Sequence, residues 1–304
     1  ANIKYLPFDA NGIQSIIYDW VSLLLAAKSS DVILLLGISG ATILPILNLL
    51  YPKVKIVTNI DGVEWKRAKW SSLAKKFLRI SEKFAVRNSD CIITDNQGIQ
   101  DYVTNAYGVA SEMIAYGAYD IDAPIVLENY NDLNLEVRGY AFKVARIEPE
   151  NNIEMLLSAF VESSMDIVIV GNWSNSIFAQ KNYKKYSGYS NIHLLNPIYD
   201  TQLLNELRAN CKLYVHGHSA GGTNPSLVEA MALSLAVISF DVSFNRFTLD
   251  NNGVFFKNSD ELKVILQNIQ SYDLDNIGMN NLRYFKKNYT WNKIAKKYAN
   301  LFKS

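Results

Sequence analysis

The chain has 304 residues, 49% of them hydrophobic and 19% charged, and its 30 Lys plus Arg against 29 Asp plus Glu leave a formal net charge of +1. That is core material for about two domains of ordinary size, and the balance excludes a globally basic nucleic-acid binder and an acidic disordered chain. The 2 cysteines, Cys91 and Cys211, exclude a disulfide framework or Cys-rich zinc site and fit a reducing, cytoplasmic setting.

In chain order, short apolar strands alternate with helical patterns. Strands are expected at Val32–Leu36, Val54–Thr58, Cys91–Thr94 and Met113–Tyr116, with a further one at Ile3–Leu6. The second half carries Tyr140–Val144, Ile167–Val170, Ile192–Leu195, Leu213–His216, Ala236–Phe240 and Gly253–Phe256. This alternation predicts an α/β protein whose parallel sheets are covered by helices on both faces. Val32–Pro52 carries no charge and is long enough to span a bilayer. Its Gly37-Ile38-Ser39-Gly40 turn favours a buried strand, a loop and a buried helix instead. The polar, irregular stretch Ala118–Arg138 reads as the passage between domains, dividing the chain into 1–125 and 126–288. A terminal amphipathic helix, Trp291–Phe302, lies within 289–304 and joins the first domain. Six strands make the second sheet a full doubly wound one, whereas the first domain looks short of its opening strands.

Asn59 to Arg87 predicts an amphipathic helix over 65–87, with Trp70, Leu73, Phe77, Ile80 and Phe84 at helical spacing. Between them stand Lys66, Arg67, Lys69, Lys75, Lys76, Arg79, Lys83 and Arg87, against Glu64 and Glu82. Such a face is either a solvated surface or one drawn to anionic lipid head groups; no RNA-binding motif accompanies it. Asp61, in the loop before this helix, is a candidate polar group facing a cleft.

The segment VARIEPENNIEMLLSAF (144–160) ends a strand at Arg146 and opens a helix near Asn151–Asn152. It places one guanidinium at the carboxyl edge of the second sheet, where α/β proteins bind ligands; a structural ion pair is the plainer alternative. HGHSAGGTNPSLVEAM (216–231) runs from a strand into a helix opened by Asn224-Pro225-Ser226. Gly221 and Gly222 allow close backbone approach, and a helix amino end suits a diphosphate. Glu229, at the second turn, suits a sugar's hydroxyl pair. The same letters contain G-x-S-x-G around Ser219, the nucleophile elbow of hydrolases, but no histidine follows to serve as the base. His216 and His218 could face a metal together, yet no spaced partner set accompanies them. Asp120-Ile121-Asp122 and Asp273-Leu274-Asp275 match a D-x-D metal pattern but read as solvated acids.

Taken together, TNIDGVEWKRAKW (58–70), VARIEPENNIEML (144–156), LLNPIYDTQLL (194–204), HGHSAGGTNPSLVEAM (216–231) and YTWNKIAKKY (289–298) resemble the GT-B glycosyltransferases of retaining family 4. The likeness is to the bacterial polysaccharide branch that contains rhamnosyltransferases. It implies two doubly wound Rossmann-like domains facing a cleft, the first of them incomplete here, since the family's opening strand and glycine-rich loop have no counterpart.

The resemblance further implies that Arg146 binds the donor diphosphate, that Asn196–Tyr199, including Pro197 and Tyr199, surrounds the base, and that Glu229 contacts the ribose. Gly222, Thr223, Asn224 and Ser226 would supply donor contacts, with Asp61 orienting the acceptor hydroxyl or transferred sugar. Two departures stand out: Gly221 replaces the first Glu of the family's E-x7-E pair, and Asn151 stands where a lysine usually follows the Arg. The implied activity is metal-independent and cofactor-free. It moves a hexose or deoxyhexose, rhamnose first, from a nucleotide-diphosphate sugar to a lipid-linked glycan at the inner face of the cell membrane. The alternatives are a non-catalytic nucleotide-sugar or carbohydrate-binding module, and a GT-B phosphorylase or epimerase.

Overall fold

In the computed structural model, which describes residues 3, 5–8, 12, 14–66, 70–120 and 135–303, all ladders between the described strands are parallel. The chain divides into two compact units, 1–115 with 297–304, and 116–296. The expected boundary at 125/126 lies outside the described residues. Residues 116–120 group with the second unit, where the Ala118 N–H donates to Tyr289 O (2.9 Å) and the Trp291 N–H to Ala118 O (3.2 Å).

The first unit runs α1 (Gln14–Ala27), β1 (Val32–Leu36), α2 (Leu44–Leu50), β2 (Lys55–Ile60), α3 (Ser72–Asn88), β3 (Cys91–Thr94), α4 (Gln97–Tyr107) and β4 (Glu112–Met113). Its strands lie in chain order, β1-β2-β3-β4. The uncharged run resolves into β1, a turn, a 3-10 helix Ala41–Ile43 and α2. No helix of the described residues is long and apolar enough to cross a membrane. Leu44 and Leu47 are fully buried, each contributing about 1.5–3 kcal/mol of transfer free energy, while Leu49 is exposed. Ile3, Tyr5 and Leu6 are not in a strand; Ile3 and Tyr5 face solvent, so no buried face recruits the segment to the sheet. The second strand is shifted from 54–58 to Lys55–Ile60, because polar Thr58 and Asn59 continue it into the core.

The expected helix over 65–87 begins only at Ser72, where the Ser71 side chain caps it; Glu64–Lys66 forms a separate 3-10 turn. Arg67 and Lys69 lie outside the described residues. Its inward face also differs from the expected apolar stripe. Leu78, Ser81, Glu82, Ala85 and Val86 are buried, while Leu73 and Ile80 are exposed. Polar residues can occupy that face because partners await them. Ser81 donates to Ile38 O, and one Glu82 oxygen accepts from Tyr102 Oη (2.5 Å), Tyr107 Oη and Trp65 Nε1 (3.4 Å). Burial and the adjacent Glu82 carboxylate push both tyrosines up.

The second unit comprises β5 (Tyr140–Val144), α5 (Ile153–Phe160), β6 (Asp166–Val170), α6 (Ile177–Tyr186), β7 (Ile192–Leu195), α7 (Thr201–Ala209), β8 (Leu213–His216) and α8 (Pro225–Ala232), then β9 (Val237–Phe240), α9 (Ser243–Thr248), β10 (Val254–Phe256), α10 (Ser259–Gln267), α11 (Leu274–Asn288) and α12 (Trp291–Lys303). The last turns of α12, from Lys297, belong to the first unit. The sheet order β10-β9-β8-β5-β6-β7 reverses direction between β5 and β8, the doubly wound arrangement. One core cluster fills it, with Ile167, Ile169, Leu213, Val215 and Ile238 of the sheet against Leu156, Leu157 and Phe160 of α5. Asp273 of the second D-x-D pattern caps α11 by accepting from the Asn276 N–H (3.1 Å); Asp122 of the first lies outside the described residues.

Candidate functional site

Reversal of strand order leaves a crevice beyond the carboxyl ends of β5 and β8, because their onward connections leave on opposite faces of the sheet. The loops that flank it are 145–152 and 217–224, the two segments that the sequence had marked. They are tied together through main-chain acceptors. Ser219 donates its N–H (2.9 Å) and its Oγ–H (2.8 Å) to Glu150 O, and Asn152 Nδ2 donates to Gly217 O at 2.8 Å. Ser219 is thus a clasp between the loops. Gly217 permits the approach: a Cβ there would stand 2.5 Å from Asn151 O.

Within this frame Asn151 is buried and donates from Nδ2 to Arg146 O at 2.7 Å, fixing the backbone from which the guanidinium projects. The Arg146 side chain is 61% exposed, with Glu148 3.5 Å away. The helix expected to start at Asn151–Asn152 begins at Ile153, after a 3-10 turn Pro149–Asn151. Asn152 takes a left-handed conformation (φ 52°) and turns its side chain to Gly217 rather than capping α5.

On the β8 side, Gly221 holds φ +130°, a region suited to glycine. Gly222 and Thr223 are buried. Asn224 caps α8, with Oδ1 accepting from the Ser226 N–H (3.1 Å) and Oγ–H (2.7 Å), while Tyr214 Oη donates to Ser226 Oγ at 2.9 Å. Ser226 therefore uses its amide inside the cap. Beneath the loop, the rings of His216 and His218 stack at 4.4 Å. Burial, with nearby Lys143 adding, holds His216 well below its ordinary range. Burial alone pushes Lys143, on β5, down to about 7.

Further along α8, Glu229 Oε2 pairs with Arg208 Nη2 of α7 at 2.6 Å. Both line a cavity of about 740 Å³ whose wall includes Tyr116, Asp120, Asn205 and Pro225. Arg208 is not among the residues expected from the sequence, since it lies within a helix and not in a loop after a strand. A signal existed: Leu204, Leu207 and Arg208 fall on one face of α7, so the arginine occupies an apolar-stripe position.

The structure thus gathers Arg146, Asn151 and the 217–224 loop at the crevice, with Glu229 on the cavity that α7 and α8 line. Pro197 and Tyr199 lie beyond β7, two strands from β5 at the same carboxyl edge, and Tyr199 is exposed. Asp61 follows β2 at the carboxyl edge of the first unit's sheet and is exposed.

The family model described as Glycosyl transferases group 1 matches residues 131–289, and Domain of unknown function (DUF1972) matches 14–119. No curated protein matches the sequence. Among solved structures, sucrose-phosphate synthase from Thermosynechococcus elongatus superposes with a TM-score of 0.81 at 16% identity, covering 99% of this chain and 84% of that one. HepE of Anabaena in complex with UDP-glucose gives 0.78 at 15% identity, over 95% and 82%. TarM, of S. aureus, gives 0.72 at 18%, over 96% and 59%. At these identities the likeness is one of fold, and the fold is GT-B.

Proposed function

The chain belongs to the glycosyl transferases group 1, and we propose that it is a retaining, family 4 enzyme that moves a hexose or deoxyhexose from a nucleotide-diphosphate sugar to a lipid-linked glycan. A GT-B glycosyltransferase acting on a nucleotide sugar is the common ground of the family match and the fold; HepE, of the same fold, was solved with UDP-glucose. The observation that carries the finer reading is the exposed Arg146 guanidinium, on a loop locked to the β8 loop at the strand-order reversal.

In this reading the anomeric carbon's bond to the donor phosphate oxygen breaks while the acceptor oxygen bonds the same face of the sugar. The acceptor's proton passes to the departing phosphate oxygen. Arg146, the amides of the 222–224 turn and the positive end of α8 meet the charge developing on the diphosphate, without a metal. Asp61 orients the acceptor hydroxyl, and Pro197 and Tyr199 border the base. Rhamnose is the first sugar to try, on the branch resemblance.

Incubating the protein with a panel of nucleotide sugars, in EDTA, should give a thermal shift with one donor and a product of unchanged anomeric configuration by NMR. No shift with any donor would remove the donor site, and an inverted product would remove the retaining mechanism. A shift without transfer to any lipid-linked glycan would favour the binding module.

The same proposal places the enzyme at the inner face of the membrane through α3. Leu73, Lys76, Ile80, Lys83 and Arg87 form one exposed stripe of mixed basic and apolar residues. Arg79 is set apart, lying over the Trp65 ring at 5.2 Å. Charge reversal at Lys76, Lys83 and Arg87 together should cut sedimentation with anionic vesicles about tenfold or more, at about 1 kcal/mol per basic residue. Unchanged sedimentation would detach α3 from the membrane.

A further inference from the structure

Arg208 stands out because the geometry gives it a role that no part of the reaction above uses. Its side chain is 1% exposed, deep on α7, whereas the Glu229 carboxylate it pairs with is 38% exposed on the cavity. A guanidinium taken wholly out of water is costly unless its partners are well placed. Here Nη2 stands 2.6 Å from Glu229 Oε2 as an ion pair that lacks hydrogen-bond alignment, and Nη1 donates to Asn205 Oδ1 at 2.7 Å, while Nε has no hydrogen-bond partner among the described residues. The ion pair therefore acts in one direction, from a rigid buried cation to a carboxylate that would otherwise turn through several rotamers in water.

The pairing also divides the carboxylate. Oε2 is held by Arg208, and no further hydrogen-bond partner of Glu229 occurs among the described side chains, which leaves Oε1 to accept from a ligand in the cavity. A carboxylate oxygen fixed in this way is suited to a neutral hydroxyl pair, and unsuited to a phosphate.

We propose that Arg208 is the positioning residue of the nucleoside end of the site, orienting Glu229 so that it reads the hydroxyls of the donor's ribose. This rests on the nucleotide-sugar reading above and on the ribose contact that the resemblance implies for Glu229, and adds a positioning residue to them. Asn205, by holding Nη1, is the outer member of the same relay.

The test is calorimetric binding of UDP and of 2′,3′-dideoxy-UDP. The wild-type protein should prefer UDP by about 10- to 100-fold, the range for hydrogen bonds to a charged group. In Arg208→Met the preference should collapse to within about threefold while the dideoxy compound binds as before. A buried ion replaced by an apolar side chain of similar size is often tolerated, and the half-exposed Glu229 remains hydrated. Arg208→Lys should restore part of the preference. Asn205→Ala, on a half-buried position, should lower it about threefold and serves if Arg208→Met does not fold. In Glu229→Gln, adding Arg208→Met should change the preference no further. Equal weakening of both ligands in Arg208→Met would show a structural role only and overturn the proposal. An unchanged preference in Asn205→Ala, with Arg208→Met unfolded, would do the same. A wild-type protein that binds a nucleotide sugar of the panel but neither of these compounds would overturn the proposal, and one that binds no nucleotide sugar at all would overturn the nucleotide-sugar reading itself.

Discussion

Arg146→Ala should lower turnover by about 100- to 1,000-fold, the loss seen when one preorganised donor to a developing oxyanion is removed. The side chain is 61% exposed and pairs with Glu148 at 3.5 Å, so the fold should be indifferent, within about 0.5 kcal/mol. The loss should fall mainly on kcat, since the charge met by the guanidinium grows as the diphosphate departs. Arg146→Lys should recover only part, because a point charge cannot hold two phosphate oxygens at once. The measurement is initial-rate kinetics with the donor that the panel identifies, beside thermal unfolding. Wild-type turnover in Arg146→Ala would take the leaving-group site away from this loop. Equal falls in kcat and in melting temperature would mean that the arginine is structural.

Gly217→Ala attacks the same site from the other loop and should damage both fold and function. A Cβ would stand 2.5 Å from Asn151 O and 3.0 Å from Leu156 Cδ1, the first of them backbone that cannot rotate away. Overpacking of this kind costs about 1–3 kcal/mol. The strain would fall on Asn151, whose side chain holds Arg146 O, and on the Asn152 bond to Gly217 O. Donor affinity should therefore fall together with stability in urea unfolding. Gly188→Ala, where a Cβ meets nothing within 4 Å, is the matched control and should leave donor binding as it was. A Gly217→Ala protein with native stability and donor affinity would show that the two loops can part without harm.

What could be read in advance follows from which interactions are local. β5 and β8 were legible to the residue, because strands buried in the middle of a parallel sheet are mainly apolar runs bounded by turns. The 216–231 segment was legible as a strand, a loop and a capped helix because its glycines, cap and proline carry their conformational meaning in themselves. The buried face of α3 was not. Its Ser81 and Glu82 look solvent-facing until Ile38 O and the Tyr102 and Tyr107 hydroxyls are brought to them from elsewhere in the chain. Arg208 escaped for the same reason, since the carboxylate that makes it intelligible lies on a different helix. Asn151 was read by what it replaces, a lysine. Its own contribution, a side-chain bond to Arg146 O, depends on a left-handed turn at Asn152 that neighbouring letters do not announce.

The membership of residues 297–303 in the first unit bears on how the protein is made. Lys55 Nζ donates to Leu301 O and Lys297 Nζ to Met113 O, so this unit is closed by the carboxyl end of the chain. On a ribosome its strands emerge early, but its closing helical turns follow only after residues 116–296, roughly 10–40 s later at ~5–20 residues per second. The second unit is continuous in sequence and can complete itself in that interval. The first must wait, part-covered, until residues 297–303 have been made.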